Sequence, residues 1–401
     1  MAKRKIQKPT RFERMYKVWD YLRKNTDRRH PTSIAKMRKD ENINAYIGDK
    51  ETINRLLKDM ANIMNLEDGG SDYKPEAEWR LYFDDFKKFY GDKERYERDD
   101  SDEDDSYIAN VMRIKNLYYN RTFSEKEVDS IIEGIMATRT LDSKSAQELV
   151  RKVEDNMTTA FYKRTPRHIC KVQEPELADR ELLKDNLAII QKAIDDNVRI
   201  QFRFNGYSYE KKLEPVRAEM DELSPYYIVA SGGKYYLLAA KEYEGYKPNM
   251  SIWRIDLMTD IEIPGRNDRL HIKGIPRIPK KNVSNLPEKW SEDFQLKHLN
   301  MSFDKPVLVT LRIKSEKCED NPKKRVRPGY TFLHDWFGDS FTYIRTETKP
   351  PYDDIVRVEC SPYGMAHWAL QYSELVEVLE PESLREDIKS KIKALNEKYS
   401  L

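Results

Sequence analysis

Residues 224–240 read SPYYIVASGGKYYLLAA, four tyrosines gathered around a Gly-Gly pair. Gly232 and Gly233 supply positive φ at both central positions of a two-residue hairpin loop, and that loop fixes the register of its flanking strands. Ser231 then faces Lys234, Ala230 faces Tyr235, Val229 faces Tyr236, Ile228 faces Leu237 and Tyr227 faces Leu238. One face carries Tyr227, Val229, Tyr236 and Leu238; the other carries Tyr226, Ile228, Ala230, Tyr235, Leu237 and Ala239. Neither face is built for water. One fills the core of a small sheet or barrel, and the second needs a different cover, either a neighbouring domain or a flat ligand.

The flanking sequence extends the sheet. In NVRIQFRF (197–204) Val198, Ile200, Phe202 and Phe204 point one way and Arg199, Gln201 and Arg203 the other, and SIWRIDLMTDIEI (251–263) alternates in the same manner. A helix over 179–196 precedes this small antiparallel sheet or barrel. Cations are interleaved with its rings: Arg203, Lys211, Lys212, Arg217, Lys234 and Arg254 among Tyr226, Tyr235 and Tyr236. Rings for stacking and cations for phosphate are what a nucleotide or single strand requires, at about 1–3 kcal/mol per stacked base. The competing reading is a core plus a domain interface. A stretch punctuated by Pro264, Pro276, Pro279 and Pro287 leads out of the sheet. The last hundred residues then read as a compact α+β unit, with strands VLVTLRI, IVRVECS and LVEVLEP, a helix at MAHWALQYS, and a final amphipathic helix carrying Leu384, Ile388, Ile392 and Leu395. The basic run KKRVR (323–327) is either a solvated loop or a further phosphate contact.

The opposite end of the chain is helical. RFERMYKVWDYLRKN repeats Phe12, Met15, Tyr16, Trp19 and Leu22 as one stripe, TSIAKMRKD is a short second helix, and GDKETINRLLKDMANIMN is a third with Asp49 as N-cap. The third buries Ile53, Leu56, Leu57, Met60, Ile63 and Met64 and presents Lys50, Thr52, Asn54, Arg55 and Lys58. Any amphipathic helix has a polar face that can simply meet water. Here a short helix and tight turn come before it, so the pattern is that of a helix-turn-helix whose second element enters the major groove. Lys50, Thr52, Asn54 and Arg55 then stand near base edges or phosphates, and Lys58 near phosphate. EWRLYFDDFKKFY and RIKNLYYNRTF read as the strands of an enlarged wing around the acidic block ERDDSDEDDS (97–106). A capping box at Ser124 and Glu127 opens a helix with Val128, Ile131, Ile132 and Ile135 on one side; a second carries Ala146, Leu149, Val150, Val153 and Met157.

Bulk properties set the frame. The 401 residues allow several domains with real cores, without disulfide or metal staples. Cys170, Cys318 and Cys360 are too far apart for a disulfide framework or a zinc-ligand pattern, which implies a reducing compartment. No apolar run approaches a membrane span of roughly 18 residues, and the basic start lacks a signal-peptide core, so the expectation is a cytoplasmic protein without membrane contact. The net charge of +2 conceals segregation: residues 1–65 hold 17 Lys+Arg against 8 Asp+Glu, and residues 66–105 hold 7 against 16. A basic end of this kind invites a polyanion. Phosphate-loop, zinc-protease and nucleophile-elbow motifs are absent. His334-Asp335 beside Trp336 reads as a packing pair, and no catalytic residue, metal ligand or cofactor is expected.

The residues now described carry a likeness. The hairpin followed by SIWRIDLMTDIEI resembles a WYL domain: Tyr235-Tyr236-Leu237 matches its Trp-Tyr-Leu signature and Arg254 matches the arginine of its Phe-Arg-x-Asp-Arg-Ile stretch. Tyr235 replaces the tryptophan, and Met258 stands where a second arginine is usual. DKETINRLLKDM is similar to the recognition helix of a DeoR-like winged helix, with Arg55-Leu56 in place of the usual Arg-Asp. YYNRTFSEKEVDSIIEGI resembles the segment leaving the wing, and MAHWALQYSELVEVLEPESLREDIKSKI the C-terminal, WCX-type extension. The resemblance implies an α+β multidomain bacterial transcription regulator: a winged helix-turn-helix for double-stranded DNA (1–122), a helical connector and linker (123–178), an Sm-like small β-barrel WYL domain (179–265), a linker (266–305) and a C-terminal α+β domain (306–401) that helps form a homodimer. It also implies a nucleotide or single-stranded nucleic-acid ligand at Arg203, Lys211, Arg217, Tyr226, Lys234, Tyr235, Tyr236 and Arg254. Two alternatives remain, an RNA- or single-strand-binding accessory protein of a defence system and an enzyme acting on nucleotides.

Overall fold

A computed structural model describes residues 8–67, 74–84, 114–138, 141–164, 180–315, 317–318, 321–325 and 329–399, in two compact units, Met1–Pro175 and Glu176–Leu401. The acidic block at 97–106, the linker over 165–178 and the last two residues of the basic run at 323–327 lie outside the described residues.

In the first unit, helix α1 (Arg11–Asn25) opens with a capping box in which Thr10 Oγ1 accepts from Glu13 N and the Glu13 carboxylate accepts from Thr10 N at 2.7 Å. Its buried stripe is Val18 and Leu22, with Met15 and Trp19 beside them, while Phe12 and Tyr16 are exposed, which corrects the stripe read from sequence. Two one-turn helices, α2 (Ile34–Met37) and α3 (Asn44–Ile47), precede α4 (Lys50–Asn65). Thr32 bridges Leu117, and β1 (Leu81–Tyr82) pairs antiparallel with β2 (Tyr118–Tyr119). Buried Asn65 ties the end of α4 to this sheet: its Oδ1 accepts from Arg80 N and Leu81 N, and its Nδ2 donates to Leu81 O at 2.8 Å. Helices α5 (Glu125–Ala137) and α6 (Ser143–Met157) follow, capped by Ser124 and Asp142 and packed together through Val128, Ile132, Val150 and Val153.

In the second unit, α7 (Arg180–Asp196) leads into β3 (Ile200–Tyr207), β4 (Leu213–Pro215), β5 (Asp221–Ser231), β6 (Lys234–Tyr243), β7 (Tyr246–Arg254) and β8 (Met258–Glu262). The strands run in the order β4-β3-β5-β6-β7, and β8 also pairs with β3, so the sheet curls round β3. From Tyr227↔Leu238 to Ser231↔Lys234 the hairpin has the register that its Gly-Gly loop demands. Its inner face packs with Ile200, Phe202, Ile190 and Met258.

The C-terminal part of this unit holds a short helix α8 (Phe294–Lys297), β9 (Val307–Ile313), a small β10–β11 hairpin (Lys317–Cys318 and Asn321–Arg325), α9 (Thr331–Phe337), β12 (Thr342–Thr346), β13 (Asp354–Cys360), α10 (Pro362–Gln371), β14 (Val376–Glu380) and α11 (Glu382–Tyr399). Strands β12-β13-β9-β14 form one antiparallel sheet over a core of Phe337, Trp368, Val356 and Leu311. The carboxylate of Asp354 is fully buried inside it and accepts from Lys317 Nζ at 3.0 Å, Tyr330 OH at 2.7 Å and Thr346 Oγ1 at 2.6 Å, as a buried charge must. Of the amphipathic stripe read along α11, only Leu384 and Ile388 reach this core; Ile392 and Leu395 are exposed.

Candidate nucleic-acid and ligand surfaces

Helix α4 begins at Asp49, whose carboxylate accepts from Thr52 N at 2.7 Å and is held below the usual carboxylate range first by that bond and then by the Thr52 hydroxyl. Lys50 and Arg55 are exposed, Thr52 and Lys58 half-buried. Thr52 is engaged with the cap, and Arg55 pairs with Glu51 at 2.8 Å. Asp59, on the same outward face, pairs with Arg11. Asn54 departs from the expectation. It is 6 % exposed, one turn before Leu57 and two before Ala61, both fully buried, so it lies on the margin of the packed face and cannot read a groove. Ile63, expected in that packing, is exposed. The outward face of α4 is thus Lys50, Arg55 and Lys58 with Glu51 and Asp59 among them.

The sheet answers the question its hairpin raises. The face carrying Tyr227, Val229, Tyr236 and Leu238 is covered by the chain itself, through Leu286, Phe294 and Met301. Four rings run in series over it: Tyr227 to Trp290 at 5.8 Å between centroids, Trp290 to Phe294 at 5.4 Å, and Phe294 stacked on His298 at 4.1 Å. Residues 266–305, expected as a linker, therefore include the cover.

A bulge between Pro225 and Tyr227 breaks the alternation, and Tyr226 joins Ala240, Ile278 and Val283 with Tyr227 at their side. Tyr226 is 3 % exposed, its hydroxyl donates to Ile278 O at 2.7 Å, and the Arg277 guanidinium lies 5.0 Å from its ring centre. Its assignment as a stacking platform is corrected: the ring is committed internally. Pro225, which lacks the N–H that a strand interior needs, was the sequence signal for this bulge. Lys280 similarly sits 4.2 Å over the Tyr227 ring and donates to its hydroxyl.

The remaining residues separate. Arg254 faces Tyr236 across β6–β7 and was expected to be free for phosphate. Instead its Nε and Nη2 donate to the buried carboxylate of Asp256 at 3.1 and 2.5 Å, and that bond raises its pKa further. Its side chain remains 30 % exposed, with Tyr236 and Tyr207 within electrostatic reach. Arg217 pairs with Asp221 and lies 5.8 Å from the Trp253 ring centre. Arg203 donates to Ala218 O and pairs with Asp260. Tyr235 is half-buried against the inner core, Lys234 is half-buried in the turn, and Lys211 is exposed in the β3–β4 loop. Arg254, part-exposed and across the strand pair from the half-buried Tyr236, marks one rim of the curled sheet. Among the described residues no cluster of three or more His, Cys, Asp or Glu is placed to hold a metal ion. No helix among them is long and apolar enough to cross a membrane.

The sheet β12-β13-β9-β14 with α10 and α11 lies in the stretch that resembles the C-terminal extension. Residues 305–395 match the WCX domain family. The WCX match runs from the strand β9 into α11. No curated protein matches the chain. Among solved structures, proteasome accessory factor B/C (PafBC) of Arthrobacter aurescens shares 17 % identity over 71 % of this chain, with a TM-score of 0.23, and the chain spans 39 % of that protein. A CRISPR Cas-related protein shares 12 % identity over 76 % of each chain, with a TM-score of 0.29.

Proposed function

We propose that this chain is a transcription regulator that binds double-stranded DNA through α4 and adjusts that binding to an anionic, nucleotide-like ligand at the rim of the curled sheet. The observation that carries the DNA reading is the capped N-terminus of α4: Lys50, Arg55 and Lys58 face outward, short helices precede it, and the Thr32–Leu117 and β1–β2 pairings lie behind it. That order of helices and strands supports a winged helix-turn-helix, in which the first turns of the second element enter the major groove. The WCX match and the resemblance of the sheet to a WYL domain support a regulator of that architecture. As a homodimer, the protein presents two such helices to half-sites about one helical turn apart.

Titrating duplex DNA between about 50 and 200 mM salt tests this, because phosphate contacts release counterions and give a steep salt dependence. A flat response overturns the DNA reading. Arg55→Ala weakens duplex binding and leaves single-strand binding unchanged.

For the ligand, the covered outer face leaves the Arg254 rim as the place where a base can rest on a ring while its phosphate meets a guanidinium. Differential affinity of that ligand for two arrangements of the chain shifts DNA binding. Single-stranded oligonucleotides that shift duplex affinity equally in Arg254→Ala and the parent protein overturn this part alone.

A further inference from the structure

Among the described residues, nothing packs on the second half of α11. From Ile392 to Tyr399 every residue is exposed, including Ile392 at 51 %, Leu395 at 45 % and Tyr399 at 68 %. These three continue from Ile388 at spacings of four, three and four residues, so at 100° per residue all four fall within about 60° of one another. A seam this narrow has the width of a helix–helix contact; the apolar sector of a helix lying in a lipid interface is much broader. The side chains bordering the seam are mostly basic: Lys389 with Asn396 on one flank, and Lys391 and Lys398 on the other, while Lys393 lies farther round, behind Lys389. Glu397 points to the opposite side. Lys389 and Lys391 are shared with Glu386 and Asp387 one turn back, whereas Lys393 and Lys398 have no ion-pair partner among the described residues.

We infer that this seam docks an acidic amphipathic helix of another protein, whose apolar ridge covers Ile392, Leu395 and Tyr399 while its carboxylates lie along the lysine flanks. Charge decides among occupants. A second copy laid antiparallel sets Lys391 against Lys398 on one border, which is unfavourable. A nucleic-acid backbone satisfies the lysines and leaves the apolar seam in water. An acidic helix satisfies both at once, and an ordered but unpacked helical end is a ready template for it.

The test uses the full chain and two synthetic three-heptad peptides with the same Ile/Leu seam, one flanked by Glu and one by Lys, followed by fluorescence anisotropy. The Glu-flanked peptide binds and the Lys-flanked one does not. Ile392→Ser with Leu395→Ser, at exposed positions that leave the fold intact by circular dichroism, abolishes binding. Lys391→Glu with Lys398→Glu weakens the Glu-flanked peptide about tenfold or more and admits the Lys-flanked one, an exchange that a merely sticky surface does not produce. The inference is overturned if both peptides bind alike, or if neither binds. It is also overturned if anionic phosphatidylserine vesicles bind the seam and the peptides do not, or if the Ile392→Ser, Leu395→Ser pair converts a sedimenting dimer to a monomer, which assigns the seam to a second copy.

Discussion

The ring of Trp290 lies 5.8 Å from that of Tyr227, tilted by 47°, and the Tyr227 hydroxyl lies 3.1 Å from the carbonyl oxygens of both Pro287 and Glu288. The apolar outer face of the sheet is therefore held shut by rings and by hydrogen bonds from the same residue. Phe294→Ala removes a buried ring beneath Trp290 and costs about 3–5 kcal/mol in urea unfolding. Trp290→Ala, at a half-exposed position, costs less, and both variants raise binding of a hydrophobic dye. A Phe294→Ala protein as stable as its parent contradicts the cover.

Asp256 is buried and, among the described residues, Arg254 is its charge partner, so Asp256→Asn strands a guanidinium that is partly screened by water. The loss expected from thermal or urea unfolding is about 1–3 kcal/mol, below that of a fully buried pair because Arg254 is part-exposed. The same change frees Arg254 for a phosphate, so affinity for an anionic ligand at the rim rises. A fall in ligand affinity refutes the rim site.

On α4 two neighbours separate stability from recognition. Asn54→Ala empties a buried polar site and lowers stability by about 1–3 kcal/mol with duplex affinity unchanged, whereas Arg55→Ala does the reverse. Parallel measurements of melting and of duplex binding decide it; equal losses of affinity in both variants contradict the assignment.

His298 is buried, its Nδ1–H donates to Ser302 O at 2.8 Å, and burial pushes its pKa below 6.5. The unfolded chain takes up a proton near pH 6.5 and the folded one resists it, so this residue contributes stability above that pH that is lost as pH falls below it. Asp304 and Lys297 are the charged groups that act on it, in opposite directions. His298→Asn keeps a donor at the place of Nδ1 and removes the titration, so its unfolding midpoint changes less between pH 7.5 and 5.5 than the parent's. Identical pH profiles overturn the assignment.

The hairpin was legible because two glycines leave few loop geometries, and a fixed loop fixes every pair that follows. Its bulge was signalled only by Pro225, and strict alternation put Tyr226 on the wrong side. The cover was invisible for a different reason: Leu286, Trp290, Phe294 and Met301 come from a proline-punctuated stretch without helical or strand period, and only tertiary packing gives them a common target. Asn54 was misplaced because Ala61, too small to mark a packed face in a pattern of large apolar residues, defines that edge of the helix. At Ile392 and Leu395 the periodicity was real, but a period states which residues share a side and not what lies against it.

The short run from Phe294 to Met301 belongs to two cores at once. Phe294 and Met301 pack beneath the curled sheet, Leu299 packs with the C-terminal sheet, and Ser302 and Ser361 join their hydroxyls nearby. The Leu299 carbonyl also approaches Gly364 so closely that a methyl group there would sit 2.7 Å from it. Neither core can lose its order without taking these eight residues along, so calorimetry of the second unit yields one cooperative heat-absorption peak, and loosening at the sheet is felt mechanically in the WCX region.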